Sequence, residues 1–188
     1  MNLVHLLKTL PFCLLHWKVK KLSAEQANNL DCLAAFSFGD RSNSVDANYD
    51  IAVIAKSIGK PCISQKEVAY YLLDFSDNEC IPIQDDLYAT LAFSDPRGAD
   101  YVNSYQVALA IANICNTNGW RSIGVLTVES HQILCIKILR KLGFLACAVD
   151  CSGVRYSPNN NQVWVRSKAR FVFYSIPTRL FFLLKGWI

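Results

Sequence analysis

The side chains best suited to chemistry in this chain are the carboxylate of Glu67 and the imidazole of His131. Each follows a short apolar run, residues 61–64 for Glu67 and residues 123–128 for His131, at the start of a helical pattern. A carboxylate and an imidazole that face one ligand could act as an acid/base pair in hydrolysis or group transfer. Glu67 could equally accept a hydrogen bond from a ligand hydroxyl, or supply a favourable charge in the first turn of a helix. The start of a helix disfavours the charged form of His131, so the neutral ring could act as a donor or base toward a ligand. Alternatively, it could merely pack or cap the helix.

Small polar residues also follow the apolar runs or begin the helical patterns, as Glu67 and His131 do. They lie next to the apolar runs and comprise Gly39, Asp40, Gln65, Asn103, Ser104 and Thr127. Ser104 and Ser130 could donate to an anionic group at a helix N-terminus, but plain N-capping is the better expectation for both. There is no GxSxG elbow, and no GxGxxG follows the first strand, so neither a serine nucleophile nor the usual dinucleotide fingerprint is indicated.

Histidine and cysteine are too scattered to indicate a metal site. The chain has three His and eight Cys, without a CxxC pair or two His at ligand spacing. Most of the cysteines lie in apolar runs, which is typical of reduced core thiols in a cytosolic protein. We therefore expect neither a bound metal nor a disulfide framework.

Alternating strand and helix patterns supply the elements that would position the polar residues. Short apolar strands are predicted at residues 31–38, 61–64, 80–83, 123–128 and 144–150, with a further strand at 161–165. The clearest helix covers residues 101–115, where one face collects Val107, Ala110, Ile111 and Ile114. This order predicts a Rossmann-like α/β fold, an open, doubly wound and mainly parallel sheet of about five strands with helices on both faces. The carboxyl ends of such strands meet at one edge, so the polar residues should line one crevice.

The length of 188 residues predicts a single domain overall. We expect an α/β domain at residues 31–188, preceded by a basic, apolar helical segment at residues 1–30. The apolar fraction of 52% excludes a disordered chain, and the net charge of +4 gives no reason to expect a nucleic-acid partner.

The charges are distributed unevenly along the chain. Residues 1–21 carry four Lys and residues 151–188 carry six Lys/Arg, and neither stretch has an acidic residue. These basic, aromatic ends could pack into the core, which we favour, or lie on a membrane surface. No run reaches the roughly 18 uninterrupted apolar residues of a spanning helix, and the N-terminus lacks the order of a signal peptide. We therefore expect a cytoplasmic protein, with peripheral contact to the inner membrane as an additional hypothesis.

Three stretches give the chain a resemblance to a known family. DCLAAFSFGD resembles the family's first strand and glycine turn, and SQKEVAYYL its Ser/Gln-x-Glu-Ala helix start. NSYQVALAIAN and GVLTVESHQILCIKILRKLGF resemble its Asn-Thr-x-Glu/Gln helix and its Val-Thr-x-x-x-His turn. With the closing LLKGWI, these motifs are similar to those of the YdcF-like proteins, domain-of-unknown-function family 218, a group that includes the SanA and ElyC envelope proteins. The resemblance covers residues 31–188 and describes a divergent member.

The resemblance implies a Rossmann-like fold with a polar pocket at the strand ends. It also implies S-adenosylmethionine as a ligand, which is associated with one branch of the family, and a link to the bacterial envelope in others. The positions that match the family's motifs are Gly39, Gln65, Glu67, Asn103, Ser104, Gln106, Thr127 and His131. The family usually has an arginine three residues after its histidine, where this chain has Leu134. An anionic ligand would then need another cation, such as Arg41 or Arg97.

The leading hypothesis from the sequence is a protein that binds a small polar or nucleotide-like metabolite, with S-adenosylmethionine as the candidate, at the carboxyl ends of the strands. One alternative is an acid/base hydrolase or transferase that uses Glu67 and His131. Another is a non-catalytic bacterial envelope or membrane-surface protein. The sequence leaves the ligand, the reaction and the oligomeric state open.

Overall fold

The computed structural model describes residues 19–39, 47–73, 80–82 and 103–188. The strands within these ranges are β1 (Lys21–Leu22), β2 (Cys32–Ala35), β3 (Cys62–Ser64), β4 (Cys80–Pro82), β5 (Ser122–Leu126) and β6 (Leu145–Val149). The helices are α1 (Ala24–Ala27), α2 (Ala47–Ile58), α3 (Lys66–Leu73), α4 (Ser104–Asn118), α5 (Glu129–Lys141) and α6 (Lys168–Leu184). A short 3₁₀ helix, Val163–Val165, precedes α6.

The described strands form one parallel sheet in the order β1-β6-β5-β2-β3-β4. From β2 the chain first builds β3 and β4 on one side, then β5 and β6 on the other. This order creates a topological switch point between β2 and β5. The predicted Rossmann-like α/β fold is confirmed, and the two-residue β1 adds an edge strand from within the predicted N-terminal segment.

The hydrophobic core lies in two layers, one on each face of the sheet. Consecutive residues of β2 alternate between them, because side chains of a strand point to opposite faces: Cys32 and Ala34 join one layer, Leu33 and Ala35 the other. Every residue of β2 is buried, which explains why the strand is a continuous apolar run.

The C-terminal part of the chain differs from its prediction. The strand predicted at residues 161–165 is wrong, because Val163–Val165 form a 3₁₀ helix. The outer edge of β6, where a further strand could pair, is occupied by β1. The 3₁₀ geometry buries Val165 and leaves Val163 half exposed.

Helix α6 is capped at its N-terminus by Ser167, whose hydroxyl accepts a hydrogen bond from the backbone N–H of Arg170. Its inward face packs against the rest of the fold, as the prediction of core packing for this end required, through Phe171, Ser175, Arg179 and Phe182. Among the described helices, none combines the length and the apolar character needed to cross a bilayer.

Candidate functional site

A cavity of about 160 Å³ lies beyond the carboxyl ends of β2, β3 and β5, at the switch point of the sheet. Its polar lining comprises Ser37, Gln65, Glu67, Ser104, His131, Gln162, Ser175 and Thr178. Its other lining residues are Phe36, Phe38, Gly39, Val107, Leu134, Trp164, Val165, Phe171 and Tyr174. The lining therefore comes from the turn after β2, from Gln65 and the first turns of α3, α4 and α5, and from the 3₁₀ helix and α6.

The structure brings most of the predicted site residues to this cavity. Gly39, Gln65, Glu67, Ser104 and His131 line it. Asn103 and Thr127 are not among its lining residues. Asp40, like the two cations proposed for an anionic ligand, Arg41 and Arg97, lies outside the described residues.

The turn after β2 is held by two side-chain amides. The Oε1 atom of Gln65 accepts a hydrogen bond of 2.9 Å from the backbone N–H of Ser37. The Oδ1 atom of Asn48 accepts one of 2.8 Å from the N–H of Phe38, and its Nδ2 donates to the Gly39 carbonyl. The oxygen of Gln65 thus fixes the backbone of the cavity wall. Asn48, which holds the same turn, was not among the residues predicted for the site.

The packing of the C-terminal segment, residues 151–188, requires a glycine at Gly39. Its φ of +82° lies in the left-handed region that favours glycine. A Cβ atom here would come within 2.8 Å of both Asn160 Nδ2 and Val165 Cγ2. The close approach of two chain segments therefore explains this glycine without any ligand.

The start of α4 separates the roles of Asn103 and Ser104. Asn103 is the N-cap: its Oδ1 accepts hydrogen bonds from the N–H groups of Tyr105 and Gln106, and the Gln106 side chain completes a capping box. Ser104 was expected to cap this helix, and that expectation is wrong. Its hydroxyl instead lies 3.2 Å from Nε2 of His131.

The ring of His131 is partly buried and packs among aromatic side chains. The ring centroids of Phe36, Phe38 and Phe171 lie 5.4–6.5 Å from that of the imidazole. Burial, assisted by the positive charge of Arg179, lowers the pKa of His131 from 6.5 to about 3. The imidazole is therefore neutral at physiological pH, as predicted, although burial rather than the helix start is the main cause.

The hydrogen bonds of His131 favour one tautomer. Its Nδ1 is buried and has no hydrogen-bond partner among the described residues. A proton on Nδ1 would leave a buried donor unpaired, whereas a lone pair there is the less costly arrangement. The proton therefore belongs on Nε2, which donates to the Ser104 oxygen and leaves the Ser104 O–H able to donate elsewhere.

The turn between β5 and α5 holds two further polar residues. Thr127 is fully buried, and its hydroxyl has no hydrogen-bond partner among the described residues. Ser130 was expected to cap α5, but the N-cap is Val128, which makes no side-chain cap bond. The Ser130 hydroxyl instead lies 2.7 Å from the phenol oxygen of Tyr156.

A cation that the sequence reasoning missed lies next to this turn. Arg179 of α6 is 1% exposed, and its Nη2 donates a 3.0 Å hydrogen bond to the carbonyl oxygen of Ser130. The positive charge of Arg179 helps to lower the pKa of His131, the residue after Ser130. The signal available in the sequence was a charged residue in step with Phe171 and Ser175 on the buried face of α6.

Within the described parts of the chain, no cluster of three or more His, Cys, Asp or Glu side chains could hold a metal ion. Comparisons of the chain with models of protein families, with curated proteins and with solved structures found no match.

Proposed function

We propose that the protein binds a small polar or nucleotide-like metabolite in the switch-point cavity. The observation that carries the proposal is the convergence of polar side chains from α3, α4 and α5 at the carboxyl ends of the central strands. Ligands of open α/β sheets bind in this crevice, and small-molecule sites combine apolar walls with a few polar groups.

The position of Glu67 favours a ligand with hydroxyl groups. Glu67 follows β3, the strand beside β2, and lies in the first turn of α3. In nucleotide-binding proteins with doubly wound sheets, an acidic residue in the first βαβ unit accepts a hydrogen bond from a ribose hydroxyl. The ribose of a nucleoside, S-adenosylmethionine included, would present such a group to Glu67.

The size of the cavity limits what it can enclose. A cavity of about 150 Å³ holds one benzene ring, and the volume here is about 160 Å³. The enclosed part of a ligand is therefore about one ring in size, and a whole nucleoside would have to extend beyond it.

Ser104 and His131 would act together on the ligand. The Nε2–H of His131 holds the Ser104 oxygen, so the Ser104 hydroxyl can donate to an acceptor atom of the ligand. His131 is then a positioning residue. Its low pKa also weakens the alternative of an acid/base enzyme, because such an imidazole is a poor proton acceptor near neutral pH.

A thermal-shift screen tests the proposal with S-adenosylmethionine, S-adenosylhomocysteine, adenosine and common nucleotides. A ligand that binds only the folded state raises the melting temperature as its concentration rises. We expect Glu67→Gln and Ser104→Ala each to reduce the shift strongly. Glu25→Gln is the matched control, because Glu25 also lies in the first turn of a helix but is exposed on α1.

Two outcomes would contradict the proposal: no compound of this set stabilises the wild type, or Glu67→Gln responds to the active compound as the wild type does. The resemblance to the YdcF-like family and a cytoplasmic location remain predictions that are consistent with this function.

A further inference from the structure

Helix α6 is apolar on its outward side as well as on its inward side. The exposed fractions are 77% for Phe173, 63% for Leu184, 47% for Phe181 and 43% for Tyr174. These four residues are half of the large hydrophobic residues that are exposed in the described parts of the chain. Helical spacing places them on one face, opposite the buried residues. We call these four residues the outer face of α6.

An amphipathic surface helix normally turns polar residues outward, and a helix that is apolar all round is usually buried. Contiguous exposed apolar surface generally marks a site of interaction with a protein or a membrane. No described segment of the chain covers the outer face of α6, and its apolar composition points to a partner.

The charges around the outer face indicate the chemistry of that partner. Arg170 is exposed one turn before Phe173 and Tyr174, and Lys168 is exposed at the start of the helix. At the other end, Nζ of Lys185 lies 5.6 Å from the centroid of the Phe181 ring. Residues 151–188 contain no acidic residue. The outer face is thus bordered at both ends by cations that no acidic neighbour in this segment offsets.

These charges distinguish between possible occupants. A second copy of the chain docked through the same face would bring Arg170 and Lys185 close to their like-charged counterparts, which costs free energy. An anionic lipid surface offers the opposite charge at the headgroups and an apolar interior for the phenyl rings.

Aromatic residues at the border of the outer face suit the same partner. Tyr174 stacks on Trp164 with ring centroids 4.6 Å apart, and Trp187 packs against Phe181 at 5.7 Å. Tyr and Trp are the residues that prefer the level of the lipid headgroups.

We propose that α6 lies in the plane of an anionic membrane surface with its outer face towards the lipid. Tyr174 belongs to both the outer face and the cavity lining, so docking brings the cavity close to the membrane. The outer face shares only Tyr174 with the cavity lining, and the inference does not depend on the proposed ligand.

Vesicle flotation tests the proposal, with phosphatidylcholine vesicles that contain about 30% phosphatidylglycerol and with vesicles of phosphatidylcholine alone. We expect binding to the anionic vesicles at low salt and weaker binding as salt is added, because ions screen the attraction. The double variant Phe173→Ser/Leu184→Ser should lower the partition coefficient about tenfold or more, since two large side chains no longer enter the lipid. Arg170→Gln/Lys185→Gln should weaken binding and reduce its dependence on salt.

Leu145→Ser is the matched control, because Leu145 is 71% exposed but belongs to β6 and not to the outer face of α6. It should bind the vesicles as the wild type does. Circular dichroism checks that each variant is folded. The proposal is overturned if the wild type does not float with anionic vesicles at low salt, or if Leu145→Ser reduces binding as much as Phe173→Ser/Leu184→Ser. It is also overturned if analytical ultracentrifugation shows a dimer that the double variant abolishes, since a second copy would then cover the outer face.

Discussion

The imidazole of His131 lies among three phenyl rings and close to the buried guanidinium of Arg179. Both surroundings oppose a positive charge on the ring, because the rings exclude water and the guanidinium repels a second cation. The neutral ring can hold the Ser104 hydroxyl in one direction without attracting counterions. At the scale of single residues, a neutral imidazole in these surroundings is better suited to orient a hydrogen bond than to accept a proton.

The pKa of His131 predicts how protein stability depends on pH. The unfolded chain binds a proton at this residue below about pH 6.5, whereas the folded protein does so only near pH 3. Lowering the pH between these values therefore favours the unfolded state, by at most about 1.4 kcal/mol per pH unit. We expect the free energy of unfolding of the wild type, relative to that of His131→Asn, to fall as the pH decreases through this range.

Urea unfolding of both proteins at several pH values measures this difference. The carboxylates contribute to both proteins, so the comparison isolates His131. A difference that does not change with pH would show that the imidazole binds its proton in the folded protein as readily as in the unfolded chain.

At the scale of elements, α5 is attached to two neighbouring strands by one buried amide. The Nε2 group of Gln132 donates to the carbonyl oxygens of Val125 in β5 and Val149 in β6, at 3.0 and 2.7 Å. Gln132 is fully buried and immediately follows His131. The amide therefore fixes where α5 begins, and with it the position of the imidazole.

We expect Gln132→Met to lower the free energy of unfolding by about 2–3 kcal/mol, because the volume is kept while two buried carbonyl groups lose a donor. Chemical denaturation measures the change. Asn113→Met is the control, since Asn113 is exposed on α4 and the same new side chain there should change stability by less than about 0.5 kcal/mol. Equal effects of the two substitutions would contradict the role of the amide.

The sequence predicts the elements of this fold well where the apolar pattern is unambiguous. The runs that became β2, β3, β5 and β6 are short, apolar and bounded by turn residues, so local pattern and buried position agree. Residues 161–165 also contain a short apolar run after polar residues. Such a run becomes a strand only if the fold brings it to an unpaired edge of the sheet, which a local pattern cannot report. Likewise, the contact between Ser104 and His131 depends on how α4 and α5 pack, and the position of Arg179 depends on how α6 docks.

At the scale of the whole molecule, the C-terminal segment is fitted onto the turn after β2. Asn160 and Val165 pack so closely on Gly39 that no Cβ atom fits between them. The nearby ion pair of Arg155 with Asp50, at 2.7 Å, joins the same segment to α2. The cavity therefore lies where residues 162–178 meet the turn after β2 and the first turns of α3, α4 and α5.

We expect Gly39→Ala to destabilise the protein by about 1–3 kcal/mol more than Gly59→Ala does. Both glycines have a positive φ, +82° and +67°, but a Cβ at Gly59 would meet nothing within 4 Å. The control therefore carries the backbone cost alone, and the difference reports the packing of the C-terminal segment. Thermal or urea unfolding provides both values, and similar losses for the two variants would show that this packing contributes little.

The lining of the cavity runs from Phe36 to Thr178, so residues far apart in the sequence must come together before the cavity exists. On the ribosome, the growing chain can assemble the strands of the sheet before α6 has emerged. A ligand of this cavity would reach its full contacts only after α6 has docked, because Phe171, Tyr174, Ser175 and Thr178 of that helix belong to the lining. Such a ligand would protect chains in which α6 has docked more than chains in which it has not, so limited proteolysis with and without the ligand would report the docking of this helix.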